Sequence, residues 1–510
     1  LEIPPSSTLA VMAGHVQDTR MEKSSVCKFY NGSTVFVTGG TGFLGKLLIE
    51  KLMRTCPNTT VYLLIRPKKG KNEKERFEEL FVGDVKACPD YKSKIKFVLG
   101  DVGQPNLGLS EEDRNMLIRE VSVVFHIAAT VRFDEKIRSA VHINVRGTRD
   151  ILELAKNIKQ LKAFIHVSSA YANCAYKQID EQLYETPVTS DQIIELVNLL
   201  NEDVLTDITP TLLGKWPNTY AYTKSISEQT VKEHSKDLPV AIVRPAIVIG
   251  TAREPFAGWI NNVYGPTGVV VGAGIGLLRT MHCDRRVLAE VVPADMVTNM
   301  MLVTAWDLAN QHKVDKTEEI PIYNYISSTQ NPITWEKYMK YNECGKEYPS
   351  LSALWYYCFF LNKYRFLHNI CTVLLHYLPA LIVDTGLRIV GKDPILWNAY
   401  KKIHKFVDVI SYFSTQQWDF TNNNVQELWK RTDPVDKQQF DFDMAGIDWP
   451  VVFRACVQGL RLHLANETPE SLPKARKRYQ RLKIAHYTLV CMLWMLLFMF
   501  LTWIVVTVLS

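Results

Sequence analysis

The chain has 510 residues, with 59 Lys and Arg against 53 Asp and Glu, so its formal net charge is +6. Hydrophobic residues make up 47% and charged residues 22%, which is ordinary globular composition and excludes a disordered, collagen-like or many-span membrane protein. At ~150 residues per domain the length allows two to four domains. So small an excess of positive charge does not indicate a nucleic-acid partner, and we expect none.

Ten cysteines are scattered along the chain, without a C-x-x-C pair or a Cys/His spacing typical of a metal site. This distribution predicts neither a bound metal nor a disulfide framework, and it favours a reducing compartment. Residues 1–17 match a signal peptide only weakly, because their apolar run is short and no basic residue precedes it. We expect residues 1–27 to form a flexible N-terminal lead.

The first motif in chain order is a glycine-rich turn between a strand and a helix. Residues 35–38 are apolar and predict a short strand, and the glycines that follow have G-x-x-G-x-x-G spacing. Such a turn brings backbone N–H groups and a helix N-terminus to the place where a pyrophosphate binds. The residues of this turn that we expect to contact a dinucleotide are Thr38, Gly39, Gly42, Phe43, Leu44 and Gly45.

The end of the next predicted strand indicates which dinucleotide is preferred. An Asp or Glu there would bind the ribose 2′-hydroxyl of NAD, but Arg66 occupies the position, and Lys68 and Lys69 follow. A guanidinium suits a 2′-phosphate, so the sequence favours NADPH.

Two later strands repeat the pattern of an apolar run followed by small or polar residues. Residues 96–102 end in Asp101 and Val102, which we expect beside the adenine, and residues 122–130 include Ala128, whose small side chain allows close approach of the cofactor. Strands that alternate with helical stretches predict an α/β fold with a doubly wound parallel Rossmann sheet.

A serine strand and a Y-x-x-x-K helix carry the candidate catalytic residues. Residues 163–173 form an apolar strand that ends in Ser168 and Ser169, and Tyr220 and Lys224 lie one helical turn apart. We expect a serine to orient a substrate carbonyl, Tyr220 to donate a proton, and Lys224 to lower the pKa of that phenol and to hold the nicotinamide ribose. Ser169 is preferred, with Ser168 as the alternative.

Two further residues are expected near the nicotinamide. Asn144 lies in a helical stretch (142–157) and is a candidate for a proton relay, and Pro245 ends the strand that follows the Y-x-x-x-K helix and would shape the adjacent loop.

The glycine loop TGGTGFLG, the serine strand and Y-x-x-x-K together resemble an extended short-chain dehydrogenase/reductase. HVSSAYAN, WPNTYAYTK, VRPAIVIG and residues 290–300 resemble more narrowly the alcohol-forming fatty acyl-CoA reductases, and residues 376–394 and 412–425 are similar to that family's extra domain. The resemblance implies reduction of a long-chain or very-long-chain acyl-CoA to a primary alcohol by two hydride transfers from NADPH through an aldehyde. It requires no covalent cysteine.

Two apolar segments of the C-terminal part, 351–361 and 365–383, are rich in aromatic and aliphatic residues. We interpret them as two packed helices. An acyl-chain tunnel or a membrane-surface entry is the alternative.

The chain ends in a hydrophobic tail. Residues 487–510 contain no charge, and at ~1.5 Å per residue such a helix is ~36 Å long, enough to cross ~30 Å of hydrocarbon. Residues 474–483 carry six basic residues and no acidic one, a number equal to the whole net charge of +6. The tail therefore predicts a transmembrane anchor with a basic cytosolic flank, so that the catalytic part faces the cytosol. Endoplasmic reticulum is the favoured membrane, with the peroxisome as the alternative.

The sequence predicts five segments, and it leaves the oligomeric state open. A membrane-bound steroid- or sterol-type dehydrogenase and a non-catalytic NADP-binding membrane scaffold are the alternative functions. The segments are a lead (1–27), an NADP-binding reductase domain with substrate lobe (28–350), a mostly helical C-terminal domain (351–470), a basic juxtamembrane segment (471–486) and the anchor (487–510).

Overall fold

The computed structural model describes residues 23–66, 91–314 and 319–509. Most of the predicted lead and the two lysines after Arg66 lie outside these ranges. Contacts divide the chain into two compact units. The first comprises Leu1–Phe256, Glu290–Pro332 and Trp418–Ile447, and the second comprises Ala257–Ala289, Ile333–Gln417 and Asp448–Ser510.

A seven-stranded sheet forms the centre of the first unit, and all its strand pairs are parallel. The spatial order is β7-β6-β5-β4-β1-β2-β3. Its strands are β1 Thr34–Thr38, β2 Thr60–Ile65, β3 Ile95–Leu99, β4 Val123–His126, β5 Ala163–Val167, β6 Val240–Pro245 and β7 Ile322–Tyr325. This order confirms the predicted doubly wound Rossmann sheet, in which the chain reverses direction across the sheet between β1 and β4.

Helices cover the sheet because its strands are apolar on both faces. Phe36, Val124 and Phe164 belong to one buried cluster with Ile151 and Val231, which come from two packed helices. The helices of this unit are Ser25–Tyr30, Phe43–Thr55, Tyr91–Lys94, Glu111–Glu120, Ile137–Val141, Gly147–Ala155, Ser190–Leu199, Glu202–Leu213, Thr219–His234, Ala294–Val314, Asn423–Arg431 and Pro434–Gln439, with a π-helical turn at His142–Arg146.

The second unit is mostly helical, as predicted for the C-terminal part. Its one described strand pair joins Thr280–His282 to Phe360–Asn362 in parallel. The helices are Pro266–Gly274, Trp335–Asn342, Arg365–Thr372, Leu378–Ile389, Leu396–Ser414, Trp449–Gly459 and Leu472–Leu509, with π-helical turns at Val373–Tyr377 and Leu460–Leu464.

The prediction of two packed helices at 351–361 and 365–383 is half right. The second segment is helical, but the first is irregular and ends in the strand Phe360–Asn362. Its aromatic residues pack as a loop instead: Tyr356 lies against the ring of Tyr479, at 5.1 Å between centroids. Apolar composition alone does not distinguish such a loop from a helix.

The terminal helix Leu472–Leu509 is long and apolar enough to cross a membrane. Its most apolar stretch of 18 residues has a mean hydropathy of 2.6, and none of that stretch is buried. These properties favour membrane association through the C-terminal helix.

The compact units cut across the predicted domain order. Gln178–Ile179 pairs with Asp419–Phe420, so a segment predicted for the C-terminal domain completes the first unit. At the other end, Ser24 caps the helix Ser25–Tyr30, which already contains the last residues of the predicted lead. The predicted boundaries therefore follow the order of the chain, whereas the compact units depend on pairing between residues far apart in the sequence.

Candidate active site

The predicted site residues converge on the carboxyl edge of the central sheet. Parallel strands all end at the same edge, and ligands of this fold class bind there, at the point where the strand order reverses. Thr38 ends β1, Arg66 follows β2, Asp101 and Val102 follow β3 after one glycine, Ala128 follows β4, Ser169 follows β5, and Pro245 ends β6.

The glycine turn has the backbone that its spacing predicts. Gly39 has φ +75°, and a Cβ there would lie 2.7 Å from the backbone nitrogen of Ala128. A Cβ at Gly45 would lie 2.3 Å from the carbonyl oxygen of Gly39, so this position holds the helix close to the turn. The helix begins at Phe43 with Gly42 as N-cap and without a side-chain cap.

This cradle fits a pyrophosphate. The first-turn N–H groups of a helix have no intrahelical acceptor, and the macrodipole adds positive potential at the same end. With no side chain on the turn glycines, an anion can approach the backbone closely. A dinucleotide would therefore be held here by the turn and by Phe43 and Leu44 of the first helical turn.

Gly45→Ala is expected to weaken dinucleotide binding and to lower stability by about 1–3 kcal/mol, since the added methyl group collides with backbone that cannot rotate away. Gly274→Ala is the matched control, because a Cβ there meets nothing within 4 Å. Dinucleotide titration and thermal unfolding of both variants measure the two effects. If Gly45→Ala binds the dinucleotide as tightly as Gly274→Ala does, the result would contradict the close packing of the helix on the turn.

The two residues predicted for the adenosine end lie at adjacent strand ends. Arg66 is exposed directly after β2. Asp101 is half-buried, and its Oδ1 accepts the Gly103 N–H at 2.9 Å. Their placement on neighbouring strands puts a cation and a carboxylate on the same side of the switch point, as an adenosine ribose and its base require.

Ser169, Tyr220 and Lys224 lie close together at this edge. The Ser169 side chain is near enough to the Tyr220 phenol to lower its pKa. The Ser168 hydroxyl is buried, and within the described ranges it has no hydrogen-bond partner. Lys224 is buried, and its Nζ donates to the carbonyl oxygen of Val167 at 2.7 Å. Asn218 caps the helix that carries Tyr220, since its Oδ1 accepts the Ala221 N–H at 2.8 Å.

The protonation states differ from one expectation. Burial raises the pKa of Tyr220 to about 12, although the nearby Ser169 side chain lowers it. Burial also lowers the pKa of Lys224 to about 8, while Glu228 raises it. The predicted lowering of the phenol pKa by Lys224 is therefore not seen, because desolvation dominates and the ammonium is directed to Val167.

Asn144 occupies the π-helical turn and links the site to its supports. Its Oδ1 accepts the Thr130 N–H at 2.9 Å, and its Nδ2 donates to the Thr223 hydroxyl at 2.9 Å. Thr223 directly precedes Lys224, so this amide fixes the helix that carries the tyrosine–lysine pair. Its role in a proton relay stays a prediction.

Beneath the site lie buried polar groups that no sequence pattern predicted. His126 bridges two threonines, with Nδ1 2.7 Å from the Thr38 hydroxyl and Nε2 3.0 Å from the Thr148 hydroxyl. Burial, with a smaller contribution from Lys224, lowers its pKa to about 3, so this imidazole is neutral. Nothing in the spacing of the histidines signals this arrangement.

A buried ion pair also escaped prediction. Arg244 in β6 is fully buried and donates from Nε and Nη2 to the two carboxylate oxygens of Glu228, each at 2.8 Å. Arg244 also donates to the backbone carbonyls of Asp180 and Gln182. An arginine inside an apolar strand sequence is the signal that would have indicated it.

Other candidate chemistry is disfavoured. Burial raises the pKa of Cys174 to about 12, which makes this thiol a poor nucleophile. Within the described ranges, no group of three or more His, Cys, Asp or Glu side chains is arranged to hold a metal ion.

Profiles of known families match both parts of the chain. An NAD-binding family described as male sterility protein matches residues 37–301, and a second profile with the same description, named Sterile, matches residues 375–467. The first covers the glycine turn and the three candidate catalytic residues.

Curated relatives and solved structures agree with this match. The chain is 43% identical to fatty acyl-CoA reductase wat of Drosophila melanogaster over 473 residues, covering 92% of this chain and 91% of the relative. It is 38% identical to fatty acyl-CoA reductase 1 of Rattus norvegicus, covering 92% and 93%. The terminal R domain of the myxalamid biosynthetic pathway has the same fold, with a TM-score of 0.54 at 20% identity, covering 84% of this chain and 90% of that domain. The chain therefore belongs to the fatty acyl-CoA reductase family.

Proposed function

We propose that this protein is an NADPH-dependent reductase that converts a long-chain or very-long-chain fatty acyl-CoA to a primary alcohol, with release of CoA. The observation that supports it most is the proximity of the Ser169 and Tyr220 side chains, beside buried Lys224, at the sheet edge that carries the glycine turn. This arrangement places two hydroxyl groups where a carbonyl oxygen can be held next to a dinucleotide.

The chain's own residues would handle the carbonyl oxygen and its proton. Bound NADPH supplies the hydride in each of the two reductions. The hydroxyls of Ser169 and Tyr220 orient the carbonyl, and Tyr220 donates its proton to the oxygen as negative charge develops there. The ammonium of Lys224 would hold the nicotinamide ribose.

The overall reaction balances in two steps. In the first, the thioester is reduced to a thiohemiacetal, which loses CoA to give an aldehyde. In the second, the aldehyde is reduced to the alcohol, so one acyl-CoA consumes two NADPH and two protons. The same proton donor serves both steps, since each hydride transfer leaves a hydroxyl group on the former carbonyl carbon. The thiohemiacetal hydroxyl then loses its proton to the departing CoA sulfur as the C–S bond breaks.

The preference for NADPH rests on Arg66. Arg66→Gln is expected to weaken NADPH binding about tenfold, since a charge-assisted hydrogen bond contributes ~1.5–3 kcal/mol. NADH binding should stay unchanged because NADH lacks the 2′-phosphate. Fluorescence titration with both cofactors measures the two affinities. A parallel loss for NADH would contradict a 2′-phosphate contact.

The rate should depend on pH through Lys224. Since its pKa is lowered to about 8, the ammonium is charged below that pH and loses its proton as pH rises through it. We therefore expect kcat/KM to fall as pH rises through about 8, while Tyr220, with a pKa of about 12, stays protonated. Lys224→Arg keeps the charge and should move the decline to higher pH. A flat profile across this region would contradict the role of Lys224.

Product analysis tests the proposed function directly. Purified full-length protein in detergent is incubated with a panel of acyl-CoA chain lengths and either NADPH or NADH, and the lipids are identified by mass spectrometry. NADPH-dependent formation of fatty alcohol supports the proposal. Oxidation of hydroxysteroids with NAD, without alcohol formation, would identify a steroid-type dehydrogenase instead, and binding of NADP without turnover would identify a scaffold.

We further propose that residues 487–510 anchor the protein in a membrane, with the basic flank and the catalytic part in the cytosol. The uncharged helix and its six preceding basic residues support this orientation. Endoplasmic reticulum is favoured over the peroxisome. Protease protection of sealed microsomes, with and without detergent, tests the orientation.

A further inference from the structure

The helix Arg365–Ile389 exposes an apolar face. Residues 366–383 contain no Lys, Arg, Asp or Glu, and the helix has a mean hydropathy of 1.7 over its most apolar window. Soluble domains seldom leave so long an apolar surface in water. The residues that define this apolar face are between 41% and 81% exposed: Phe366, Ile370, Leu374, Leu381, Ile382 and Ile389.

The opposite side of the helix is packed on protein. Its buried residues recur at every fourth position: His368, Thr372, His376, Ala380 and Asp384. In a regular α-helix, with 3.6 residues per turn, such a stripe would wind away from one side. The π-helical turn Val373–Tyr377 adds a residue to the turn and keeps the stripe straight.

Hydrogen bonds hold this packed side along its length. The Asp384 carboxylate accepts the three N–H groups of residues 395–397, at 2.8–3.1 Å. His376 Nε2 accepts the Arg279 N–H at 2.9 Å. Because these contacts fix one side of the helix to a folded unit from end to end, the helix is not arranged to cross a bilayer alone.

A short series of contacts connects this helix to the start of the terminal apolar stretch. Arg279, whose backbone N–H donates to His376, places its guanidinium over the ring of Trp355, 5.8 Å from the centroid. Trp355 Nε1 in turn donates to His486 Nδ1 at 3.1 Å. His486 directly precedes the uncharged segment, so the packed side of the helix is tied to the level at which the anchor enters the membrane.

The segment of the chain that contains the apolar face carries a net positive charge. Residues 363–408 contain seven Lys and Arg against three Asp, and one of the three, Asp384, is buried. The exposed basic residues that follow the apolar face are Arg388, Lys392, Lys401, Lys402 and Lys405. An exposed apolar face that is followed in the chain by exposed basic residues fits the interface of a bilayer that contains anionic lipid.

We propose that the helix Arg365–Ile389 lies in the plane of the bilayer surface, with its apolar face in the headgroup–acyl boundary, as a second membrane contact of this protein. The inference rests on the proposed anchoring by residues 487–510. It places the second unit at the surface into which long acyl chains partition.

Photocrosslinking tests this contact on the full-length protein. The protein is reconstituted into vesicles of phosphatidylcholine and phosphatidylserine that contain a diazirine phospholipid, and lipid adducts are mapped by peptide mass spectrometry. Adducts are expected on the apolar face and on residues 487–509. Leu199, which is 81% exposed at the end of another helix, is the control and should carry none.

A matched pair of variants sharpens the test. Leu374→Glu with Leu381→Glu should reduce the adducts in 365–389 several-fold and leave those in 487–509 unchanged, and Leu199→Glu should change neither. Adducts in 487–509 with none in 365–389 would overturn the inference but keep the anchor. Absence from both segments would instead reject the proposed anchoring, and equal labelling of Leu199 would also overturn the inference.

The orientation has its own readout. Tyr364→Cys and Lys392→Cys mark the two ends of the helix, and an impermeant maleimide is added to sealed vesicles with peptide-level detection. An in-plane helix predicts that both cysteines react from the outside. If one reacts only after lysis, the helix spans the bilayer. If copies of the chain crosslink to each other through the apolar face, a second copy covers it. Either result would overturn the proposal.

Discussion

Replacing Tyr220 with phenylalanine is expected to reduce kcat by about 10²–10⁴-fold, the range that a positioned proton donor contributes. The phenol lies beside the Ser169 side chain, and its raised pKa, about 12, keeps it protonated at any pH at which the enzyme works. Affinity for the dinucleotide should be retained, because the glycine turn that would hold the pyrophosphate is in a different part of the chain from the helix that carries Tyr220. Stopped-flow oxidation of NADPH with an acyl-CoA and with the matching aldehyde measures both reductions.

Tyr222→Phe is the matched control for this variant. It lies on the same helix, and its buried hydroxyl has no hydrogen-bond partner within the described ranges. Removing that hydroxyl should leave kcat unchanged. If the aldehyde step survives Tyr220→Phe while the acyl-CoA step is lost, a different group protonates the alcohol and the single-donor mechanism is wrong.

Arg244→Met is expected to lower the free energy of unfolding of the first unit by about 3–5 kcal/mol, since it leaves the Glu228 carboxylate buried without its cation. Among the described residues, Asn173 alone would then donate to that carboxylate, at 2.9 Å. Unfolding is measured with and without NADP⁺. Because a ligand stabilises the unit that binds it, the transition that NADP⁺ shifts is that of the first unit.

Two further variants separate the charge effect from a loss of packing. Lys430→Met breaks an exposed ion pair with Glu427, 2.7 Å long, and should cost at most about 1 kcal/mol. The double variant Arg244→Met with Glu228→Met should recover part of the lost stability, because the unpaired charge is gone. If the double variant loses more unfolding free energy than the two single variants lose together, the pair contributes mainly through its other hydrogen bonds.

The sheet and the carboxyl-edge site were predictable because their signals are local. The spacing of Gly39, Gly42 and Gly45 reports one turn, and Tyr220 and Lys224 report one helical turn. The alternation of apolar strands with helical stretches then fixes a parallel sheet, and a parallel sheet gathers the strand ends at one edge. The site therefore follows from local patterns combined with one topological rule.

The two predictions that were wrong have the same physical cause. The segment 351–361 has the composition of a packed helix but forms a loop and a strand, because its partners, including Tyr479, are distant in the sequence. The pKa of Tyr220 was predicted to be lowered, whereas burial raises it. The cost of desolvation depends on all the groups that surround the phenol, and the i, i+4 spacing reports only one of them.

The sequence by itself determined the dinucleotide turn, the tyrosine–lysine pair, the doubly wound parallel class of the sheet and the uncharged terminal helix, because each has its pattern in residues close together in the chain. Only the tertiary structure decided the spatial order of the strands, the buried pair of Arg244 and Glu228, and the place of residues 418–447 in the first unit. These depend on burial and on contacts between residues far apart in the chain, for which local periodicity carries no signal.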